Sequence, residues 1–90
     1  MSARAIGYEQ ITNVSAAVGL TIPPGTGFLI VTPESQAVRW RDDGTDPTAS
    51  VGYPLAAGSE LQYGASSMTR LKFIEQTASA ILNVTYYGAD

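Results

Sequence analysis

The acidic residues between two predicted strands form the densest group of side chains that could do chemistry in this chain. Asp42, Asp43 and Asp46 stand close together, with Gly44 and Thr45 among them. Three carboxylates beside Gly and Thr could supply oxygen ligands to a calcium ion. Their spacing does not follow the ligand pattern of an EF-hand loop, and Asp and Gly are also the usual residues of tight turns. We therefore expect a turn at Asp42-Asp43-Asp46 and keep a calcium site as the alternative.

Catalytic candidates are scarce. The chain of 90 residues contains no His and no Cys, so the commonest general base, the commonest zinc ligand and all thiolate chemistry are missing. Asp42 and Asp43 are adjacent, and adjacent strand residues point to opposite faces, so they are a poor acid/base pair. Lys72 is the only lysine. We expect a protein that is not an enzyme and that uses no cofactor.

The charge balance indicates which partners to expect. The net charge is −3, with only five Lys and Arg residues. Nucleic-acid binding and binding to anionic membranes both need basic surface, so we expect neither partner. No apolar run approaches the length of about 20 residues that a transmembrane helix needs, and no signal-peptide core follows Met1. Charged residues make up 14% of the chain, and surfaces poor in Lys and Glu are typical of protein–protein contacts.

Short β-type segments alternate with Gly and Pro along the whole chain, which predicts an all-β fold. We expect residues 1–90 to form a single small β-sandwich. The predicted strands are Ile6–Thr12, Val18–Ile22, Phe28–Thr32, Ala37–Asp42, Gly52–Leu55, Glu60–Tyr63, Leu71–Gln76 and Ala80–Tyr87. The predicted core is Ile22, Phe28, Ile30, Val38, Trp40, Leu55, Leu61, Leu71, Phe73, Leu82, Val84 and Tyr86.

An internal echo gives the sandwich a more detailed architecture. The segment 18–43 aligns with the segment 51–76 at one fixed offset and without gaps. Trp40 aligns with Phe73, and each has a basic residue before it and an acidic residue two positions after it. Self-similarity at a fixed period is typical of a repeated structural unit. We expect a jelly-roll-like sandwich of two pseudo-equivalent Greek-key halves.

Residues 1–17 lie outside the echo. They could form an N-terminal arm that adds a strand to the sheet of a neighbouring molecule, a common use of a sheet edge. They could equally form an ordinary edge strand of the same domain. The sequence leaves both interpretations open.

Aromatic and basic residues are the candidates for exposed contacts. Trp40 alternates with Arg39 and Arg41 and falls on the apolar side of its strand, so we place Trp40 in the core. Tyr tolerates an interface with one polar end. Lys72 occupies the position equivalent to Arg39 in the echo, which indicates a shared exposed face. The predicted interface residues are Tyr8, Arg39, Arg41, Tyr53, Lys72 and Tyr87.

Four stretches of the chain resemble small all-β structural proteins of tailed bacteriophages. The stretches are Val38–Gly52 (VRWRDDGTDPTASVG), Pro54–Gly58 (PLAAG), Leu71–Ile74 (LKFI) and Leu82–Tyr87 (LNVTYY). The resemblance extends from about Pro23 to the C-terminus and is poor before it. No N-terminal motif matches the arms of well-known decoration proteins, so the position on the particle stays open.

The resemblance implies a virion structural protein, made in the host cytoplasm and located on the capsid surface. Its function would be that of a capsid decoration, or cement, protein that clamps neighbouring subunits of the major capsid protein. Such proteins are often homo-oligomers, with a trimer favoured. The alternatives are a tail, baseplate or fibre-tip module that recognises a host surface, and a component of the head–tail connector.

Overall fold

Seven strands and one short 3₁₀ helix build the part of the chain that the computed structural model describes, residues 3–64 and 66–89. The strands are β1 Ala3–Ile11, β2 Thr26–Glu34, β3 Val38–Arg41, β4 Tyr53–Leu55, β5 Leu61–Tyr63, β6 Lys72–Glu75 and β7 Ile81–Ala89, and the 3₁₀ helix is Ser66–Arg70. None of the helical structure in these residues is long and apolar enough to cross a membrane.

The strands form two antiparallel sheets. One sheet has four strands in the order β1-β7-β2-β5, and the other has three in the order β4-β3-β6. Buried residues of both sheets join in one hydrophobic cluster, in which Leu29, Val84 and Tyr86 of the first sheet meet Val38 and Phe73 of the second. The predicted all-β sandwich is therefore confirmed.

Strand β7 shows why the sequence folds in this way. Leu82, Val84 and Tyr86 are buried, while the residues between them, Asn83 and Thr85, lie on the outer side of the sheet. Successive side chains of a strand point to opposite faces, so this alternation sets one apolar row against the core. The core predictions that the structure confirms are Val38, Leu55, Leu71, Phe73, Leu82, Val84 and Tyr86.

Strand β2 corrects the predicted core. Leu29 and Val31 are fully buried, whereas Phe28 and Ile30 lie on the opposite, outer side of the same strand. We expected Phe28 and Ile30 in the core because the apolar run was continuous, as in a strand buried on both faces. A continuous run has no period-two contrast, so its phase could not be read from the residues alone.

Other core positions also differ from the prediction. Ile22, Trp40 and Leu61 are only partly buried and pack against the edge of the core. Val14 is fully buried although it lies between strands, where its carbonyl accepts a hydrogen bond from Glu75 N at 2.9 Å. In an irregular segment the sequence has no periodicity, so the burial of such a residue cannot be predicted from it.

The echo corresponds to neighbouring strands. Strand β2 pairs with β5, and β3 pairs with β6 with Trp40 directly opposite Phe73. The predicted strand Val18–Ile22 is reduced to a single bridge, in which Val18 and Phe73 exchange two backbone hydrogen bonds of 2.9 Å. This bridge lies beside β6 as β4 lies beside β3. The jelly-roll-like architecture of two pseudo-equivalent halves stays a prediction.

The N-terminal segment is an edge strand of its own sheet. Strand β1 pairs with β7 from Ala3 opposite Ala89 to Ile11 opposite Leu82, with one bulge between Ala5 and Gly7. Met1 and Ser2 of the predicted arm lie outside the described residues. Residues Ala3–Ile11 thus pair within this chain, at the edge of the four-stranded sheet.

Candidate functional site

The outer side of the four-stranded sheet carries two of the predicted interface residues, Tyr8 and Tyr87. The strand register places Tyr87 between Ala5 and Phe28, and it places Tyr8 beside Thr85. We call this surface the neutral face. Its members are Ala5, Tyr8, Gln10, Phe28, Ile30, Thr32, Glu34, Gln62, Ile81, Asn83, Thr85 and Tyr87. Glu34 is the one charged residue among these members.

Polar side chains on the neutral face bind one another across three strands. Tyr8 donates its hydroxyl hydrogen to Asn83 Oδ1 at 2.6 Å, and Gln10 Nε2 donates to the same oxygen at 3.1 Å. Asn83 Nδ2 in turn donates to Glu34 Oε1 at 3.0 Å. These bonds fix long side chains that would otherwise move freely in solvent. A partner that docks here therefore has less rotamer entropy to remove.

Two aromatic rings stack on another part of the neutral face. The rings of Phe28 and Tyr87 stack with centroids 4.8 Å apart and an angle of 6° between their planes. Stacking of this kind stabilises a ring pair beyond the area it buries. Tyr8 is 60% exposed on the same surface. The neutral face thus presents ordered aromatic surface to solvent.

The outer side of the three-stranded sheet carries three more predicted interface residues. Arg39 lies opposite Ile74, and Arg41 lies opposite Lys72. The echo led us to expect that Arg39 and Lys72 share an exposed face. Both lie on this outer side and are partly buried, and Arg41, not Arg39, is the cross-strand neighbour of Lys72.

Arg39 acts mainly within the molecule. Its Nη1 donates to Gly52 O at 2.8 Å, and its Nε donates to Ala49 O at 3.2 Å. The guanidinium therefore holds the loop between β3 and β4 against the sheet. Gly52 in that loop has φ +142°, and a Cβ there would lie 3.1 Å from Arg39 Cβ. The close approach and the positive φ both favour glycine at this position.

Arg41 pairs with Asp43 at the end of β3. Arg41 Nε donates to Asp43 Oδ1 at 3.0 Å, and Arg41 Nη2 donates to Asp43 Oδ2 at 2.6 Å. The hydrogen bond from Arg41 is the main cause that lowers the pKa of Asp43 to about 2, and the backbone N–H of Thr45 adds to it. The same pair raises the pKa of Arg41. Asp43 therefore stays ionised across the physiological range.

The acidic segment is a turn, as the sequence predicted. Gly44 has φ +88°, and Asp43 Oδ1 accepts a hydrogen bond from Thr45 N. The three carboxylates have separate surroundings: Asp42 accepts from Tyr63, Asp43 binds Arg41, and Asp46 is exposed. In residues 3–64 and 66–89, the acidic side chains form no cluster of three that could hold a metal ion.

A tyrosine joins the two sheets beside this turn. The Tyr63 hydroxyl on β5 donates to Asp42 Oδ2 and lies 2.5 Å from Ser67 Oγ of the 3₁₀ helix. Burial raises the pKa of Tyr63, and the hydrogen bond to Asp42 raises it further. The contact fixes the carboxylate of Asp42 at the end of β3.

A groove opens where β3 ends and β4 begins. Its volume is about 380 Å³, within the size range of ligand sites. It is lined by Trp40, Arg41, Asp42, Asp43, Gly52 and Tyr53. Tyr53, another predicted interface residue, is 65% exposed, and its ring centroid lies 5.1 Å from that of Trp40. Register alone places these two rings together, because Trp40 lies opposite Tyr53. The residues alone do not indicate the groove, because the apolar side of its strand places Trp40 in the core.

Trp40 forms the inner wall of the groove. Its ring meets the ring of Tyr63 edge to face, with centroids 5.9 Å apart. Its indole Nε1 is buried and finds no acceptor among the described residues.

A second tyrosine–carboxylate contact lies inside the sandwich. Tyr86, only 1% exposed, donates to Glu9 Oε2, which also accepts from Thr21 N at 2.8 Å. Burial is the main cause that raises the pKa of Tyr86, and the hydrogen bond to Glu9 adds to it. This contact ties the segment after β1 to the four-stranded sheet.

The neutral face and the groove are both suited to binding. The neutral face offers hydrogen-bonded side chains and stacked rings to another macromolecule, whereas the groove offers two aromatic rings and fixed charges to a small group. No family model, curated protein or solved structure matches this chain.

Proposed function

We propose that this protein is a non-enzymatic structural protein that docks on a larger assembly through the neutral face. The observation that carries the proposal is the ordering of that face, where Tyr8, Gln10 and Asn83 are bonded to one another. Specific protein contacts favour aromatic side chains and few charges. Both properties occur together on the neutral face.

The energetics of docking agree with this assignment. Covering the stacked rings of Phe28 and Tyr87 removes apolar area from water, which is worth about 25 cal/mol per Å². The free-energy cost of removing charged groups from water on docking is small, because Glu34 is the one charged member of the face and lies at the end of β2. The ordering of side chains before contact lowers the entropy that binding removes.

The assembly that we propose is the capsid of a tailed bacteriophage, with the major capsid protein as the partner. The sequence resemblance to small phage structural proteins supports this choice. A small subunit with one docking face suits a lattice, because each weak contact is repeated at every symmetry-related position. The protein would then be a decoration protein at the capsid surface, and docking as a homotrimer would let one unit clamp several capsid subunits.

A matched pair of charge insertions tests the docking face. Thr85→Glu places a carboxylate at the centre of the neutral face, beside Tyr8 and Ile30. Ile74→Glu places the same charge on the outer side of the three-stranded sheet, next to Arg39. We expect Thr85→Glu to weaken co-sedimentation with capsids that lack the protein by about 100-fold, since burying an unpaired charge costs several kcal/mol. We expect Ile74→Glu to bind like the wild type.

Thermal melting of both variants shows that each is folded before binding is compared. Equal weakening by the two substitutions would contradict docking through the neutral face. Quantitative mass spectrometry of purified particles provides the second measurement. A copy number in proportion to the major capsid protein supports decoration, a copy number sufficient only for a ring indicates the connector or tail, and absence from the particle contradicts a virion function.

A further inference from the structure

We propose that the groove between β3 and β4 is a saccharide site, in which one pyranose ring stacks on Tyr53 and hydrogen-bonds to the Arg41–Asp43 pair. The inference concerns a surface separate from the neutral face. It needs no chemistry beyond reversible binding.

The aromatic wall supplies the stacking surface. Tyr53 exposes 65% of its area although it is a large apolar residue, and its ring rests on Trp40 with an angle of 33° between the planes. An exposed ring held by a second ring behind it is a rigid platform. The C–H face of a pyranose is apolar and matches such a platform, because covering it removes apolar area from water on both sides.

The polar rim supplies the directional contacts. Asp43 keeps lone pairs that can accept further hydrogen bonds, and Arg41 keeps the N–H donors that its two bonds to Asp43 do not use. The ion pair holds both groups in position before a ligand arrives. Neighbouring hydroxyls of a sugar can donate to a carboxylate and accept from a guanidinium at once. Charge-assisted hydrogen bonds of this kind are stronger than bonds between neutral groups.

Other ligand chemistries fit the groove less well. A phosphate or a nucleic acid would meet the carboxylates of Asp42 and Asp43, and the one lining cation, Arg41, is already paired with Asp43. A wholly apolar ligand would have to desolvate the ion pair without replacing its hydrogen bonds. A neutral ligand with an apolar ring face and many hydroxyls satisfies both walls of the groove.

The groove lies outside the neutral face. None of its lining residues belongs to the neutral face, so a copy docked through that face keeps the groove free. An open groove of this size predicts weak binding, with Kd on the order of 1 mM. Many copies on one lattice would raise the overall avidity by about 10²–10⁴ without any new contact. This last step rests on the proposed function, whereas binding by the isolated protein does not.

The test is a titration of the isotopically labelled protein followed by amide NMR shifts. The probes are the methyl pyranosides of glucose, galactose and mannose, together with N-acetylglucosamine, each up to about 10 mM. Sorbitol, which has hydroxyls but no ring face, is the control ligand. We expect at least one pyranose to shift the amides of Asp43, Gly52 and Tyr53, and sorbitol to shift none of them.

Two exposed tyrosines provide matched variants. Tyr53→Ala removes the platform, while Tyr8→Ala removes a tyrosine of similar exposure from the neutral face. We expect Tyr53→Ala to weaken pyranose binding at least tenfold and Tyr8→Ala to leave it unchanged. The proposal is overturned if no probe shifts the groove amides, if sorbitol shifts them equally, or if both variants bind alike. Tyr53→Ala should keep its docking to capsids, so failure here and failure of the proposed function are distinguishable.

Discussion

The two outer sheet surfaces use their polar side chains in opposite ways. On the four-stranded sheet, Tyr8 and Gln10 bind Asn83 of the next strand, so the bonds link neighbouring strands of the same surface. On the three-stranded sheet, Arg39 binds the carbonyls of Ala49 and Gly52 in the loop between β3 and β4. The first set of bonds orders the outer surface itself, whereas the second holds a loop that contains Gly52, one of the residues that line the groove.

The difference shows how a small sandwich can present two kinds of binding surface. Both sheets turn apolar residues toward one shared core. The outward positions of the two sheets carry different side chains, and these positions contribute little to burial. A few outward residues can therefore change the surface that a sheet offers to a partner while the core stays the same.

The largest expected effect tests whether the two sheets are one energetic unit. Phe73→Ala removes a buried ring beneath the three-stranded sheet, and Leu29→Ala removes a buried side chain beneath the four-stranded sheet. We expect losses of about 3–5 and 2–5 kcal/mol in the free energy of unfolding. Urea unfolding followed by Trp40 fluorescence and by circular dichroism should give one coincident transition in each case.

Milder substitutions serve as controls where the alanine variants do not fold, because a domain of this size is only about 5–15 kcal/mol stable. Phe73→Leu and Leu29→Val keep most of the core volume. Separate transitions for the two probes would show that the sheets unfold independently. The two sheets would then differ in stability as well as in their outer surfaces.

A moderate loss of stability tests the hydrogen bonds from Arg39 to the loop between β3 and β4. Arg39→Ala removes charge-assisted hydrogen bonds to two loop carbonyls, so we expect a loss of about 1.5–3 kcal/mol. The bridge between Thr48 and Val51 should also open more often, which faster amide exchange at both residues would reveal. Gln10→Ala on the neutral face removes one exposed bond and should cost less than about 1 kcal/mol. Equal losses of unfolding free energy in Arg39→Ala and Gln10→Ala would contradict the difference between the two outer surfaces.

The last effect is confined to alkaline pH and concerns the tyrosine beneath the four-stranded sheet. The pKa of Tyr86 is raised in the folded protein, so its neutral phenol is favoured there over the phenolate. An unfolded tyrosine ionises near a pKa of about 10. The stabilisation is therefore fully present below pH 10 and is lost as the pH rises through the folded-state pKa. Urea unfolding at a series of alkaline pH values should show stability falling steadily above pH 10.

Tyr86→Phe is the control for this titration. It removes the ionisable hydroxyl and its bond to Glu9, which should lower stability at neutral pH by about 1–2 kcal/mol. The alkaline decline should become shallower in the variant, with the remainder due in part to Tyr63, whose pKa is also raised. An equally steep decline would show that Tyr86 is not its source.

Strands with clear alternation could be predicted from the sequence. Leu82, Val84 and Tyr86 were placed in the core because polar residues separate them, and they are buried. Strand β2 has no such contrast, so its inner row, Leu29 and Val31, could not be distinguished from its outer row. Val14 has no strand around it and gave no signal at all.

The candidate sites were less accessible to prediction, because they depend on which strands are neighbours. The predicted interface residue Tyr53 does line the groove, but its partner Trp40 was assigned to the core. The pairing of β3 with β4 decides that the two rings meet. Hydrogen bonds such as Tyr8 to Asn83 join residues far apart in sequence, and no local pattern indicates them.

The pairing of Ala3 with Ala89 brings the two ends of the described chain side by side at one corner of the four-stranded sheet. Antiparallel partners have Cα atoms about 4.5–5.5 Å apart. A short linker could therefore join the two strands into a hairpin, and new ends could be opened at the exposed turn around Gly58. Circular permutation would then move the attachment point of a fused cargo from one side of the sandwich to another without altering either binding surface.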